Sequence, residues 1–233
     1  MATQTAHHTP TDSPLPLYRL DVGTYDRLVE AGALEGVDGE LMDGLLVDKR
    51  PRRPDSIHRF DTETYNRMVA TGALEGEPVE LLEGLLVEMN PQGSDHSAAI
   101  MRLTRYLAPA RAWLAVQLPL EVGPSGSEPE PDVALIEEEP SRERHPCTAL
   151  LAVEVAVTSH KKDRETKAGL YARAGVPTYW LVDVPGRVVE VRSDPGPQGY
   201  GRCEVYGIGA RVPSPDEGVP DLDVASLFDE ARG

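Results

Sequence analysis

The sequence has little cysteine and no long apolar run. Cys147 and Cys203 are its two cysteines in 233 residues, too few for a disulfide framework or a cysteine-based zinc site. No stretch approaches the roughly 18 consecutive apolar residues of a membrane helix. The N-terminus has neither the basic nor the apolar region of a secretory signal. We therefore expect a cytoplasmic protein with reduced thiols and a disordered polar tail over residues 1–16.

Basic residues are also scarce, with 23 Lys and Arg against 39 Asp and Glu and a net charge of −16. This balance excludes a general nucleic-acid coat protein, because phosphate contacts need Lys and Arg. The charge is uneven, however, since residues 97–120 hold arginines and no acid, and residues 159–173 are again basic. These segments are either ordinary solvated helix faces or a basic cleft that an acidic enzyme would use.

A repeat occupies the N-terminal part of the chain. Residues Thr24–Pro51 match Thr64–Pro91 with an offset of 40 positions and no gap. Each copy predicts a short helix, a glycine stop, and two strands around an acidic-glycine turn. Two copies are too few for a solenoid. We favour a tandem duplication in which only the second copy joins the core, and the alternative is that copy one binds a partner or a second chain.

Downstream of the repeat, helical and strand patterns are mixed. Apolar positions from Ala99 to Leu107 have helical spacing, and the run "AVQLPLEVG" (115–123) predicts a strand. "ALLAVEVAV" is the most apolar strand and is therefore placed centrally. A helix from about Lys162 to Ala174 stops at the glycine that follows it. The predicted fold class is α/β (α+β), a mixed central sheet flanked by helices.

Two carboxylates stand out in these strands. Asp132 begins one short apolar strand, and Glu154 interrupts a second. A lone charge there costs several kcal/mol unless it is paired or binds a metal. Two carboxylates on adjacent strands can share Mg²⁺, and a nearby lysine such as Lys167 can balance charge that develops on a phosphate. Spacing alone leaves a structural ion pair between Glu154 and the basic helix as the alternative.

The segments "EPDVALI" and "LLAVEVAVTSHKKDRETKAGLYARAGVPTYWLVDV" resemble the Uma-two family of restriction endonucleases, a branch of the PD-(D/E)XK nuclease superfamily. The resemblance covers roughly Thr64 to Phe228. It implies a restriction-endonuclease-like core over residues 58–233, preceded by the duplicated N-terminal helix-hairpin element (17–57). It also implies a Mg²⁺-dependent endonuclease, with Mn²⁺ as a substitute, that acts on nucleic acid, expected to be DNA. The alternative is a catalytically silent nuclease-fold binding or scaffold protein.

The resemblance also assigns roles to residues. Asp132 matches the aspartate of the PD motif, and Glu154 matches the acid of the (D/E)XK motif, so both are implied metal ligands and catalytic residues. The chain departs from the superfamily pattern at Ala156, where the lysine usually stands. Lys167 on the following helix occupies the matching position of this family, and a long, flexible lysine stem can reach back to the strand.

Further residues complete the predicted site. Glu80 and His96 match family positions that can assist it, Glu80 by joining the metal site and His96 by touching that site or a phosphate. Helix capping or packing is the alternative for His96. A homodimer is plausible, because a double-strand cut needs two sites. The aromatic side chains of Tyr171, Tyr179 and Trp180 are interpreted as core packing. The residues expected to contact the nucleic-acid backbone are Arg102, Arg105, Lys161 and Lys162, the last two also being rivals of Lys167.

Overall fold

The computed structural model describes residues 15–49, 56–89, 92–123, 126–139, 141–157 and 162–228, without the side chains of 162–164. The chain divides into one compact unit of residues 1–89 with 125–127 and a second of residues 90–124 with 128–233. The predicted tail lies outside the described residues except for Leu15, which is buried, and Pro16. The predicted domain boundaries stay predictions. Among the described helices, none combines the length and the apolarity needed to cross a membrane.

In the first unit, both copies of the repeat have the same element order. Asp21 and Asp61 cap the two helices, each accepting a hydrogen bond from the backbone N–H three residues later, as short acidic side chains commonly do. The elements of copy one are α1 (Val22–Glu30), β1 (Gly39–Met42) and β2 (Leu45–Asp48), and those of copy two are α2 (Thr62–Ala70), β3 (Val79–Leu82) and β4 (Leu85–Glu88).

Reciprocal bonds join the two copies. Tyr18 N donates to Leu86 O at 2.9 Å, and His58 N donates to Leu46 O at 2.7 Å. The equivalent arginines of α1 and α2 likewise each donate to a backbone carbonyl of the other copy. Apolar side chains from both copies, including Leu28, fill one shared core. The sequence repeat did not predict this contact, which makes the two copies one packed structure.

The turn of each hairpin needs glycine. Gly84 has φ +79°, and a Cβ placed there would lie 3.0 Å from Phe60 O. Phe60 N in turn donates to Gly84 O at 2.8 Å, so the turn is held tightly against the start of the same copy. Residues 126 and 127 also belong to this unit. Gly126 O accepts a hydrogen bond from Gly84 N, and Ser127 Oγ accepts one from Glu83 N.

The second unit is a six-stranded mixed sheet among its described residues, in the order β10-β9-β8-β7-β6-β5. β7 and β8 are parallel, and the other neighbours are antiparallel. The strands of this unit are β5 (Trp113–Val116), β6 (Val133–Ile136), β7 (Leu151–Ala156), β8 (Thr178–Asp183), β9 (Val188–Gly196), β10 (Gly199–Tyr206), β11 (Arg211–Val212) and β12 (Leu222–Asp223); the helices are α3 (Ser94–Leu107), a π-helical segment (Lys162–Lys167), α4 (Ala168–Arg173) and α5 (Ala225–Phe228).

Helices cover both faces of this sheet. On β7, Leu151, Val153 and Val155 pack in one cluster with α3, whereas Ala152 and Ala156 pack in another with α4. All six residues of β7 are buried, as a central strand between two helical layers requires. The predicted fold class, a mixed sheet flanked by helices with this strand inside it, is confirmed.

Two elements differ from their predicted form. The helix predicted from about Lys162 begins as a π-helical segment and becomes α-helical only at Ala168. The strand predicted over residues 115–123 begins earlier, as β5, and ends at Val116. Its end coincides with Gln117, whose φ of +51° interrupts the extended backbone, a conformation that a non-glycine residue adopts rarely.

Candidate active site

The two predicted carboxylates lie on neighbouring segments of the sheet. Asp132 directly precedes β6 and Glu154 lies in β7, and the pairing of these antiparallel strands reaches Val133 and Val153. The side chain of Asp132 accepts a hydrogen bond from the backbone N–H of Val155, the residue after Glu154. Asp132 is 9% exposed and Glu154 4%. The structure therefore brings two buried acids to the same end of β6.

Asp132 is held by two donors. Its Oδ2 accepts a hydrogen bond from Val155 N at 2.7 Å and lies 3.2 Å from His96 Nε2. His96 comes from the first turn of α3, and its buried Nδ1 has no hydrogen-bond partner within the described part of the chain. The contact with Asp132 thus favours a ring that carries its proton on Nε2. The predicted neighbourhood of His96 and Asp132 is present in the structure.

The carboxylate of Glu154 is held by two side chains, Lys167 and Tyr171, from the π-helical segment and α4. Lys167 Nζ lies 3.0 Å from Oε1 and 3.1 Å from Oε2 of Glu154, and it also donates to Glu130 O at 3.2 Å. Tyr171 Oη donates to Glu154 Oε1 at 2.9 Å. Lys167 is only 4% exposed, and a buried ammonium is tolerated when its protons are used in this way.

The local fold explains how the lysine reaches the strand. Ala156, at the position where a strand lysine would stand, is buried in the core beneath α4. Lys167 lies at the junction of the π-helical segment and α4, and π-helical turns recur at functional sites. The structure brings Lys167 to the strand acid Glu154, and its catalytic role stays a prediction. The side chain of Asp163, four residues before Lys167, lies outside the described residues.

Tyr171 is the residue whose contact sequence reasoning missed. It is fully buried, as the packing interpretation predicted, but its hydroxyl also reaches Glu154. A signal was present in the spacing, because Lys167 and Tyr171 are four residues apart and such residues share one face of a helix.

The remaining predicted site residues are distributed as follows. Glu80 is buried on β3 of the first unit, 2% exposed, while Glu40 at the same place in copy one is exposed. Arg102 donates to Leu227 O at 2.7 Å and so secures α5. Arg105 is exposed in the last turn of α3. Lys161 and the side chain of Lys162 lie outside the described residues. The predicted roles of all of these residues stay predictions.

A further buried acid precedes Asp132. Burial, and then the charge of Glu121, raise the pKa of Glu128 to about 7. Leu120 N donates to Pro129 O at 3.0 Å, so the segment that holds Glu121 runs beside the one that holds Glu128. His145 Nε2 lies 3.6 Å from Glu128 Oε1. Burial and a nearby like charge both disfavour the ionised carboxylate, so Glu128 holds a proton more readily than an ordinary glutamate.

The donor set fits a hard divalent cation. Among the described residues there is no cluster of three or more His, Cys, Asp or Glu side chains arranged to hold an ion. Mg²⁺ does not require one, because it keeps several waters and commonly takes one or two carboxylates with substrate phosphate. Asp132 and Glu154 provide buried oxygen donors on adjacent strands. The residues present therefore fit Mg²⁺ or Mn²⁺.

Comparisons with known proteins give a family and a similar fold. Residues 62–226 match the family Uma2, described as "Putative restriction endonuclease". A crystal structure described as "a putative nuclease belonging to DUF820 from Anabaena variabilis" is similar in fold, with a TM-score of 0.51 and 18% sequence identity. That similarity covers 64% of this chain and 89% of the other. No curated protein matches the sequence.

Proposed function

Because this chain belongs to the Uma2 family of restriction-endonuclease-like proteins, we propose that it is a Mg²⁺-dependent endonuclease that hydrolyses phosphodiester bonds of DNA. One observation carries the proposal. Asp132 and Glu154 are both buried, the side chain of Asp132 accepts from the backbone N–H of the residue after Glu154, and Lys167 contacts both oxygens of Glu154. Two acids and a lysine at one point supply the groups that metal-assisted phosphodiester hydrolysis needs.

In this proposal, each side chain has one task. Asp132 and Glu154 would hold the cation, which would supply polarisation of the phosphate and a bound water of lowered pKa. His96 and Val155 N fix the carboxylate of Asp132 through the contacts described above. Lys167 places its positive charge beside the scissile phosphate, where negative charge develops during the reaction.

Lys167 is suited to this task by its present bonds. Its ammonium is a point charge on a long stem, and it contacts the two oxygens of Glu154 and one carbonyl, Glu130 O. A phosphate oxygen would be another acceptor for the protons of the same ammonium. The lysine thus neutralises Glu154 before the cation and substrate enter, and remains beside them afterwards.

The wider expectations follow from the same proposal. Arg105 is exposed on α3, which supports its expected contact with a phosphate backbone, and such contacts set position rather than sequence preference. Mn²⁺ is expected to replace Mg²⁺. A cytoplasmic location and a homodimer are part of the proposal and need their own measurements.

A plasmid-nicking assay tests the function. The full chain should convert supercoiled DNA to open-circular or linear DNA with Mg²⁺ or Mn²⁺, and EDTA should stop the reaction. Glu154→Gln and Asp132→Asn should each lower the rate by at least about 100-fold, because each removes a charged ligand. Glu190→Gln is a matched control, because Glu190 is also buried in the sheet and pairs with Arg192 instead.

Two results would contradict the proposal. Unchanged nicking by Glu154→Gln would place the chemistry elsewhere. The second result is a wild-type protein that shifts DNA in a gel-shift assay but cuts neither DNA nor RNA with Mg²⁺ or Mn²⁺ present. This result would favour the catalytically silent nuclease-fold binding or scaffold protein.

A further inference from the structure

Tyr171 connects the buried aromatic packing of the second unit to the carboxylate of Glu154. Its ring is fully buried and lies 5.6 Å from the ring of Tyr179, at an interplanar angle of 31°. Tyr179 in turn stacks on Tyr200 at 6.1 Å, and Tyr200 donates its own hydroxyl to Val176 O. The row of rings leaves Tyr171 little freedom to rotate or shift, because tightly packed interiors resist such displacement.

The hydroxyl of Tyr171 and the ammonium of Lys167 meet the same oxygen. Tyr171 Oη is 2.9 Å and Lys167 Nζ is 3.0 Å from Glu154 Oε1. These two donors differ in kind, since the tyrosine hydroxyl is fixed by its ring whereas the lysine stem is flexible. When Lys167 moves toward a phosphate, Tyr171 is the donor that stays in place.

We propose that Tyr171 is a positioning residue that fixes the orientation of the Glu154 carboxylate toward a divalent cation. The proposal rests on the proposed function, because it takes Glu154 to be a metal ligand. Partners that orient a metal ligand through a hydrogen bond typically change metal affinity by about 10–100-fold when they are removed. Tyr171 touches neither the cation nor the substrate in this role and acts only through Glu154.

Tyr171→Phe removes the hydroxyl and keeps the ring, so it tests the hydrogen bond alone. Tyr179→Phe is the matched control. Both tyrosines are fully buried and share one aromatic contact, and the hydroxyl described as donating to Glu154 is that of Tyr171. Calorimetric titration with Mn²⁺, in the absence of DNA, should show affinity weakened by about 10-fold in Tyr171→Phe. In Tyr179→Phe it should stay within twofold of the wild type.

Kinetics separate positioning from general damage to the fold. In Tyr171→Phe the Mn²⁺ concentration for half-maximal nicking should rise by about 10-fold. The KM for DNA should stay unchanged, and excess Mn²⁺ should restore much of kcat. A structural defect would instead lower the nicking activity of Tyr171→Phe at every Mn²⁺ concentration. It would lower the nicking activity of Tyr179→Phe as well.

Wild-type Mn²⁺ affinity in a folded Tyr171→Phe protein would overturn the proposal while leaving the proposed function intact. A wild-type protein that neither binds Mn²⁺ nor nicks DNA would overturn both. If Tyr171→Phe folds poorly, its free energy of unfolding is measured with and without Glu154→Gln. An effect that runs through Glu154 predicts that the two substitutions together lower the free energy of unfolding by less than the sum of their separate effects. Full additivity of the two losses would reject the proposal.

Discussion

Replacing Lys167 by methionine should destabilise the second unit strongly. The substitution keeps a long, unbranched side chain but removes the charge beside Glu154 and the contact with Glu130 O. Both members of the pair are 4% exposed, so water cannot replace the lost partner easily. Removal of one partner of a buried ion pair costs about 3–5 kcal/mol. Because Tyr171 still donates to Glu154, we expect a loss of about 3 kcal/mol in the free energy of unfolding.

Urea unfolding, followed by tryptophan fluorescence, measures this loss of stability in the second structural unit of the chain. Trp113 and Trp180, the two tryptophans of the sequence, lie on β5 and β8. Lys49→Met is the control, since Lys49 is exposed in the first unit and its loss should change stability by less than about 0.5 kcal/mol.

A second substitution distinguishes the ion pair from simple packing. Adding Glu154→Gln to Lys167→Met removes the uncompensated charge and leaves an amide that can still accept from Tyr171. The double variant should recover to within about 1 kcal/mol of the wild type. A loss below about 1 kcal/mol in Lys167→Met, or no recovery in the double variant, would refute the buried-pair account of Glu154.

Three further predictions follow from other contacts. Burial and Glu121 raise the pKa of Glu128 to about 7 from 4.5, so its contribution makes the free energy of unfolding fall as the pH rises through this window. Glu128→Gln should remove that fall and be more stable than the wild type by about 1–2 kcal/mol in urea at pH 8; equal stability would contradict it. Gly84→Ala should cost about 2 kcal/mol by thermal unfolding, since φ is +79° there, whereas Gly93→Ala, where φ is −84°, should cost far less. His96→Ala should weaken Mn²⁺ binding by about 10-fold in calorimetry through Asp132, and unchanged binding would exclude that role.

The predictable part of the fold rested on strong local patterns. The apolar run around Glu154 had the features of a central strand, and β7 is buried along its whole length. The helical spacing between Ala99 and Leu107 predicted the apolar face of α3, which packs on the sheet. Such patterns are visible in the sequence because burial on one face repeats with the period of the element.

The candidate site was predictable in part. The expectation that Asp132 lies near Glu154 came from their places in two apolar runs, and the side chain of Asp132 does contact Val155 N, next to Glu154. The contact of Tyr171 with Glu154 was missed because a buried tyrosine has the same sequence pattern whether its hydroxyl is used or not. The predicted contact of Arg102 with nucleic acid stays a prediction, and its bond to Leu227 O, which joins residues 125 positions apart, lies beyond any local pattern.

The arrangement of the repeat could not be read from its spacing. An offset of 40 residues is compatible with copies that are separate or packed together. The reciprocal bonds of Tyr18 and His58 depend on how one copy folds back on the other. Only the three-dimensional structure places Leu86 and Leu46 where those backbone groups meet them.

The most direct test of the central claim is calorimetric titration of Mn²⁺ into the wild-type protein and into Glu154→Gln, with Glu190→Gln as the control. The account predicts one saturable site in the wild type and in Glu190→Gln, and loss of that binding in Glu154→Gln. Equal binding in all three proteins, or none in the wild type, would contradict a metal site at Asp132 and Glu154.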